Sequence, residues 1–308
     1  MHFSSIWMLC LMYLLPRWTY GAPFILAISS WTHRLQSLLA GVVRKVLALP
    51  HSTHTLSVLV EADLLPLKTF SEYHTLRTAH NMSQLPLSHA TKTLFTNSYN
   101  HSTLLQRQAQ LGVRIRQQPQ CIRAYTDNLL DLEQRWRCTH LVSVTDITQA
   151  AQDSALSEWN DQPIYGLVLK SVKINFARSY YLYHANRADT RLFARFRHNR
   201  IGHNESMFTM NQGRNNTTPT PNCPTCLKVP ESITHLLLHC PLYATQRHIL
   251  TTYLQSVNLP TTQKVLLAGH LTDTDFCSSA NVNASRTTLR KIAGFLRHIC
   301  EMRKLIII

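Results

Sequence analysis

A mainly α-helical fold is predicted for this 308-residue chain by two apolar stripes at helical spacing and by the near absence of alternating runs. In residues 31–49, Leu35, Leu38, Leu39, Val42, Val43, Val46 and Leu47 recur at intervals of three and four, which puts them on one helical face. In residues 241–260, Leu242, Ile249, Leu250, Tyr253, Leu254 and Val257 do the same. The one clear β-like run is HLVSVTDI, residues 140–147.

Taken in order, the first helix leaves Arg34, Arg44 and Lys45 off its apolar face and is stopped by Pro50. A short second helix, residues 56–64, follows with Ser52 or Thr53 as its cap, giving a helical hairpin. Residues 68–80 and 90–110 read as further helix, broken by SQLPLSH. Residues 112–165 are interrupted by GVRIRQQPQ and carry the β-like run. Helix returns from Ala155 through KINFARSYYLYHANRADTRLFARFRHNR. Residues 211–222, NQGRNNTTPTPN, are polar and aperiodic, a linker and the best boundary in the chain. A last helix, RTTLRKIAGFLRHICEMRKLI, completes the order, and no repeat of fixed period is present.

The chain has room for one large domain or two small ones. Its 31 Lys plus Arg against 16 Asp plus Glu leave a net charge of +15, which favours an anionic partner, nucleic acid ahead of an acidic membrane. With 8 glycines and no Gly-rich phosphate loop, nucleotide binding by the dinucleotide or P-loop routes is excluded. The apolar run at residues 6–16 followed by TYGA has the look of a signal peptide, but no Lys or Arg precedes it and it is too short to span a bilayer. No membrane association is expected, and the location is read as intracellular, with the nucleus one candidate.

Three of the 8 cysteines fall close together with a histidine, as Cys223, Cys226, His235 and Cys240 in the order C-x2-C-x8-H-x4-C. Cys10, Cys121, Cys138, Cys277 and Cys300 are scattered and read as core or surface residues in a reducing compartment. A Cys-x2-Cys turn aims two sulfurs at one point. A short helix from Glu231 to Pro241 carries His235, with Cys240 at its end. Three thiolates and an imidazole form a closed tetrahedral set that selects structural Zn²⁺ and leaves no position for a catalytic water. His239 is the competing nitrogen, awkwardly adjacent to Cys240.

Just upstream, Arg187, Arg191, Arg195, Arg197 and Arg200 interleave with Phe193 and Phe196. On a helix, 187, 191 and 195 line up as guanidinium groups suited to phosphate. The same spacing also fits a solvated cationic face over a phenylalanine core. No YADD-type aspartate pair, G-x-S-x-G, H-E-x-x-H or carboxylate cluster is present, so no enzyme activity is expected.

These residues resemble the C-terminal part of a non-LTR (LINE-like) retrotransposon reverse transcriptase polyprotein, downstream of its palm. CPTCLKVPESITHLLLHCPLY is similar to the zinc-binding segment of that family, RLFARFRHNRIGHN to the Arg-rich stretch before it, and residues 20–67 to the helical thumb-like region after the palm. The family's usual glycine after the second cysteine is Leu227 here, which loosens the knuckle turn without removing a ligand. The resemblance implies a helical thumb-like region at 1–80, a mostly helical connector at 81–210, a CCHC zinc-knuckle-like module at 211–258 and a C-terminal helical segment at 259–308. Without the palm and its aspartates it implies a non-catalytic fragment of a truncated element, binding RNA or DNA without sequence preference. The alternative is a protein-interaction or non-functional remnant that holds zinc and touches no nucleic acid.

Overall fold

Helix follows helix in the computed structural model, which describes residues 29–110, 120–162, 166–173, 176, 179–211, 220–268 and 279–305. Among them there is no strand; Asn222 and Pro230 form an isolated bridge. The α-helices among the described residues are α1 (Ser29–Leu47), α2 (Thr55–Glu61), α3 (Leu67–Ser83), α4 (Ala90–Gln110), α5 (Gln120–Trp136), α6 (Val144–Asn160), α7 (Leu167–Val172), α8 (Tyr181–His184), α9 (Arg187–Arg197), α10 (Asn204–Asn211), α11 (Ala244–Ser256), α12 (Gln263–Leu266) and α13 (Ser279–Arg303). None of the described helices is long and apolar enough to cross a membrane. The apolar run at 6–16 and most of the linker at 211–222 lie outside the described residues.

Glycine is scarce, and the helix ends show how the chain manages without it. Ala48, Asp63, Arg137, Asn199, Asn258 and Lys304 all take left-handed φ values, 46° to 58°, just after a helix. In each case the following amide reaches back over the last turn: Leu49 to the Arg44 carbonyl, Leu64 to Leu59, Cys138 to Glu133, Arg200 to Arg195, Leu259 to Leu254 and Leu305 to Cys300. These are Schellman closures, which satisfy carbonyls that the helix leaves open. Five of the six closing residues are Leu or Cys, and four of them, Leu49, Leu64, Cys138 and Leu305, are buried.

The chain divides into two compact units. The smaller unit takes 29–37 and Leu65–Glu158. Its core is Leu76 and Ala79 of α3, Phe95 of α4, Leu129 and Leu132 of α5, Cys138 and Ile147. A buried polar set lies against it. Glu133 Oε2 accepts from the Tyr99 hydroxyl at 2.7 Å, and its Oε1 accepts from the His140 amide at 2.7 Å and lies 2.6 Å from His140 Nδ1. These partners hold the Glu133 carboxyl below its usual range against the opposing effect of burial.

The β-like run at 140–147 is corrected here: it is a turn and the first residues of α6. Ser143 accepts from the Asp146 amide at 3.2 Å and donates to its carboxylate at 2.7 Å, a reciprocal cap that starts a helix where alternation suggested a strand. The expected cap of α2 is corrected as well. His54 occupies the N-cap position without a side-chain bond, and Thr53 instead presents its carbonyl to Arg44 Nε and Nη2 at 3.0 and 2.7 Å. Arg44, expected off the apolar face of α1, is therefore buried.

The larger unit takes Leu38–Leu64 and 159–305. Helix α9 packs on α13, α11 on α13, and α7 on α9 and α12, around Phe193, Phe196, Leu254, Ile292, Leu296 and Ile299, all buried. Gly166 has φ 71°, and a Cβ there would meet Ser57 Oγ at 2.8 Å, so the start of α7 needs glycine for both backbone and space. This unit contains the whole Cys/His segment.

A candidate metal centre

The segment 220–243 folds from its backbone outward. The Cys223 amide bonds to the Val229 carbonyl at 2.8 Å and the Glu231 amide to Pro221 at 2.9 Å, pairing the two arms of a tight loop. Between them the Leu227 amide bonds to the Cys223 carbonyl at 2.7 Å, and the Lys228 amide to Cys226 at 2.7 Å. That turn sets both cysteine sulfurs on its inner side. Leu227 itself has φ 61°, the conformation a glycine would take without strain.

The second pair of candidate ligands comes from a π-helical turn, His235–His239, followed by a 3-10 turn, Pro241–Tyr243. Ser232 Oγ accepts from the His235 amide at 3.1 Å, and the Cys240 amide bonds back to the His235 carbonyl at 2.8 Å. An α-helix would carry residue 240 about 140° past residue 235. The wider i to i+5 closure brings Cys240 back beside it, a reason for a π turn to stand at a functional site.

Cys223, Cys226, His235 and Cys240 converge, with one ligand atom from each lying within 4.8 Å of the others. Cys223 Sγ and Cys240 Sγ are 3.9 Å apart, and Cys226 Sγ is 3.4 Å from His235 Nε2. A tetrahedron with metal–sulfur bonds near 2.3 Å and metal–nitrogen bonds near 2.05 Å has edges of about 3.8 and about 3.6 Å. The four atoms are thus spaced to hold a metal ion, and 3.9 Å is far too long for a disulfide. Cys223, Cys240 and His235 are buried. His239 is exposed and outside the group.

Burial holds the His235 imidazole below its ordinary pKa, in the neutral form that ligates. Burial also pushes the Cys240 thiol up to about 12. Without a cation the Cys240 thiol keeps its proton, and a bound dication would displace it.

The supports around this centre carry almost no sequence signal. Glu231, fully buried, accepts from Arg303 Nε and Nη2 at 2.7 and 3.0 Å and from the Asn204 amide at 2.8 Å. It ties the loop to the end of α13 and the start of α10. Arg247 donates from Nε to the Leu237 carbonyl at 2.9 Å and from Nη2 to the Cys240 carbonyl, bracing the π turn. Of these, only Glu231 was marked in the sequence, and only as a residue near a helix start.

Leu227 gives a direct test. Its side chain is 69% exposed, so Leu227→Gly loses little packing while relieving a left-handed backbone worth roughly 1 kcal/mol, partly offset by a floppier unfolded chain. The variant should melt higher and retain metal longer against a chelator. A lower melting point would show that the exposed leucine makes contacts beyond its backbone role.

The five arginines are not brought together as one face. Arg187 is exposed. Arg191 Nε donates to the Val46 carbonyl at 3.3 Å, Arg195 Nε to Ala48 at 3.0 Å and Arg200 Nη2 to Ser52 at 3.0 Å. Three guanidinium groups therefore close the end of α1 and the loop after it, where helix carbonyls favour cations. Arg197 is 1% exposed and bonded to Glu61 and to the Leu267 carbonyl. Exposed cations stand elsewhere, at Arg286, Arg290, Lys291 and Arg297 of α13. The scattered Cys138 and Cys300 are buried, as one of the two readings held.

Comparison of the chain with known protein families, with curated proteins and with solved structures finds no match.

Proposed function

We propose that the chain is a non-catalytic piece of a non-LTR retrotransposon reverse transcriptase, in which Cys223, Cys226, His235 and Cys240 bind structural Zn²⁺ and a basic surface binds RNA or DNA without sequence preference. The observation that carries this reading is the Cys3His cluster, whose candidate ligand atoms lie within 4.8 Å of one another and whose place in the chain follows the Arg-rich stretch. Zinc here folds a loop and supplies no chemistry. The phosphate contacts fall to the arginines that remain at the surface: Arg187 at the start of α9 and Arg286 and Arg290 on α13, which packs against it.

The inward turn of Arg191, Arg195, Arg197 and Arg200 favours the second reading, a remnant that holds metal and interacts with protein only. Fluorescence anisotropy with labelled single-stranded RNA and duplex DNA separates the two. On the first reading, binding is evident at low salt and weakens steeply as salt rises, and Arg187→Gln with Arg286→Gln and Arg290→Gln weakens it further for every sequence tried. Absence of binding at low salt, or binding indifferent to those three substitutions, sinks the nucleic-acid reading and leaves the second.

A further inference from the structure

A cleft of about 500 Å³ opens in the larger unit between the start of α2, the start of α7, the end of α9 and α10. Two of its lining side chains are buried with an orphaned polar atom: Thr53 Oγ1 and His198 Nε2 have no hydrogen-bond partner, and the residues are 4% and 7% exposed. Buried polar atoms are rarely left unmatched, so a pair of them on one cleft points to a partner from outside the chain. Arg200 and His54 line the same cleft, and Glu205 is the one acid that does.

We propose that this cleft is a binding site for a phosphoryl group, with the Thr53 hydroxyl and the His198 imidazole donating to its oxygens and the Arg200 guanidinium neutralising its charge. Three donor-bearing groups of different reach suit an acceptor-only, multiply charged ligand better than a carboxylate or a cation. The volume exceeds that of a phosphate ion and admits an attached group. The local charge agrees. Burial, then Arg197, Arg200 and Arg44, hold the His198 imidazole down to about 4 against Glu61, so it is neutral near pH 7 and offers one N–H in a positive field. The site contains none of Arg187, Arg286 and Arg290, the surface arginines proposed to contact nucleic acid, and does not rest on that reading.

Isothermal titration of the full chain with inorganic phosphate, adenosine monophosphate and adenosine tests the proposal. Phosphate and the nucleotide should both bind saturably, at a Kd of roughly 1 mM or below, and adenosine should not. Equal affinity for the first two identifies the free anion as the ligand, and tighter binding of the nucleotide identifies a nucleotide phosphate. Thr53→Val keeps the side-chain shape and should weaken binding about tenfold, as should Arg200→Gln, in line with the loss of a charge-assisted bond. Glu205→Gln should tighten it, a gain that misfolding cannot produce. Binding of adenosine without phosphate, no phosphate binding up to roughly 10 mM, or unchanged affinity in folded Thr53→Val would overturn the proposal.

Discussion

Protein purified without chelators is expected to carry stoichiometric zinc, and the Cys223→Ser, Cys240→Ser variant to carry none. The effect on folding should be large. Structural zinc in small modules is worth roughly 10 kcal/mol of apparent free energy near pH 7, more than the Glu231 and Arg247 braces of segment 220–243 supply. Its regular backbone pairing is one bridge, Asn222 with Pro230, and two single-turn helices. Loss of metal should also free Glu231, Asn204 and Arg303 from the loop they anchor, so chelation should lower the melting temperature of the larger unit as well as loosening the knuckle. Apparent zinc affinity should rise with pH, because the thiols must lose protons to bind and burial raises at least that of Cys240. Equal zinc content in the variant and the parent would remove the site.

The ligand set was legible in the sequence because Cys and His are rare and their spacing is short. Cys223, Cys226, His235 and Cys240 could be named without knowing any tertiary contact. What holds them in place could not be. Arg303 is bonded to Glu231 across 72 positions, and nothing in a local pattern distinguishes it from Arg297, which is half-exposed. Helix α4, Ala90–Gln110, matched its expected limits, since those follow from local breakers such as SQLPLSH. The strand expected at 140–147 failed because a Ser-x-x-Asp cap looks like alternation when it is only four residues long.

The carbonyl partners of the arginines were hidden for a related reason. Spacing of four places Arg187, Arg191 and Arg195 on one helical face, but periodicity is silent on whether that face meets water or the carbonyl end of another helix. Charge is a poor guide to exposure when backbone acceptors are near. Glu61 illustrates this from the other side: an acid on a short apolar helix reads as a solvated end, yet it is fully buried.

Arg197→Gln should accordingly behave as a core mutation and not as the loss of a phosphate contact. Arg197 Nε lies 3.0 Å from Glu61 Oε1 and Nη2 donates to Oε2 at 3.1 Å, with its guanidinium 5.2 Å from the Tyr181 ring and Tyr181 hydrogen-bonded to the same carboxylate. Removing one partner strands a carboxylate that has no solvent to turn to, at a cost of roughly 3–5 kcal/mol. Arg187→Gln, at an exposed position, should cost less than about 0.5 kcal/mol. Urea unfolding distinguishes a core role from a surface one: if Arg197 served phosphate, its replacement would leave stability intact and lower only nucleic-acid affinity.

The pH dependence sharpens the test. Burial alone would raise the Glu61 carboxyl, but Arg197, Lys173, His198 and Tyr181 together bring it down to about 2 from 4.5. A depressed carboxyl contributes stability that is present above about pH 4.5 and is lost as pH falls through about 2. In the parent the pair thus persists through mild acid. His198 and His203, both lowered to about 4 from 6.5, weaken the fold between those values, because the unfolded chain takes up protons first. In Arg197→Gln the strongest support of the Glu61 anion is gone, burial prevails, and the carboxyl protonates at higher pH. The stability gap between parent and variant should therefore be widest near neutrality and should narrow as the solution is acidified. A gap that stays constant with pH would mean that Arg197 stabilises the unit through packing alone.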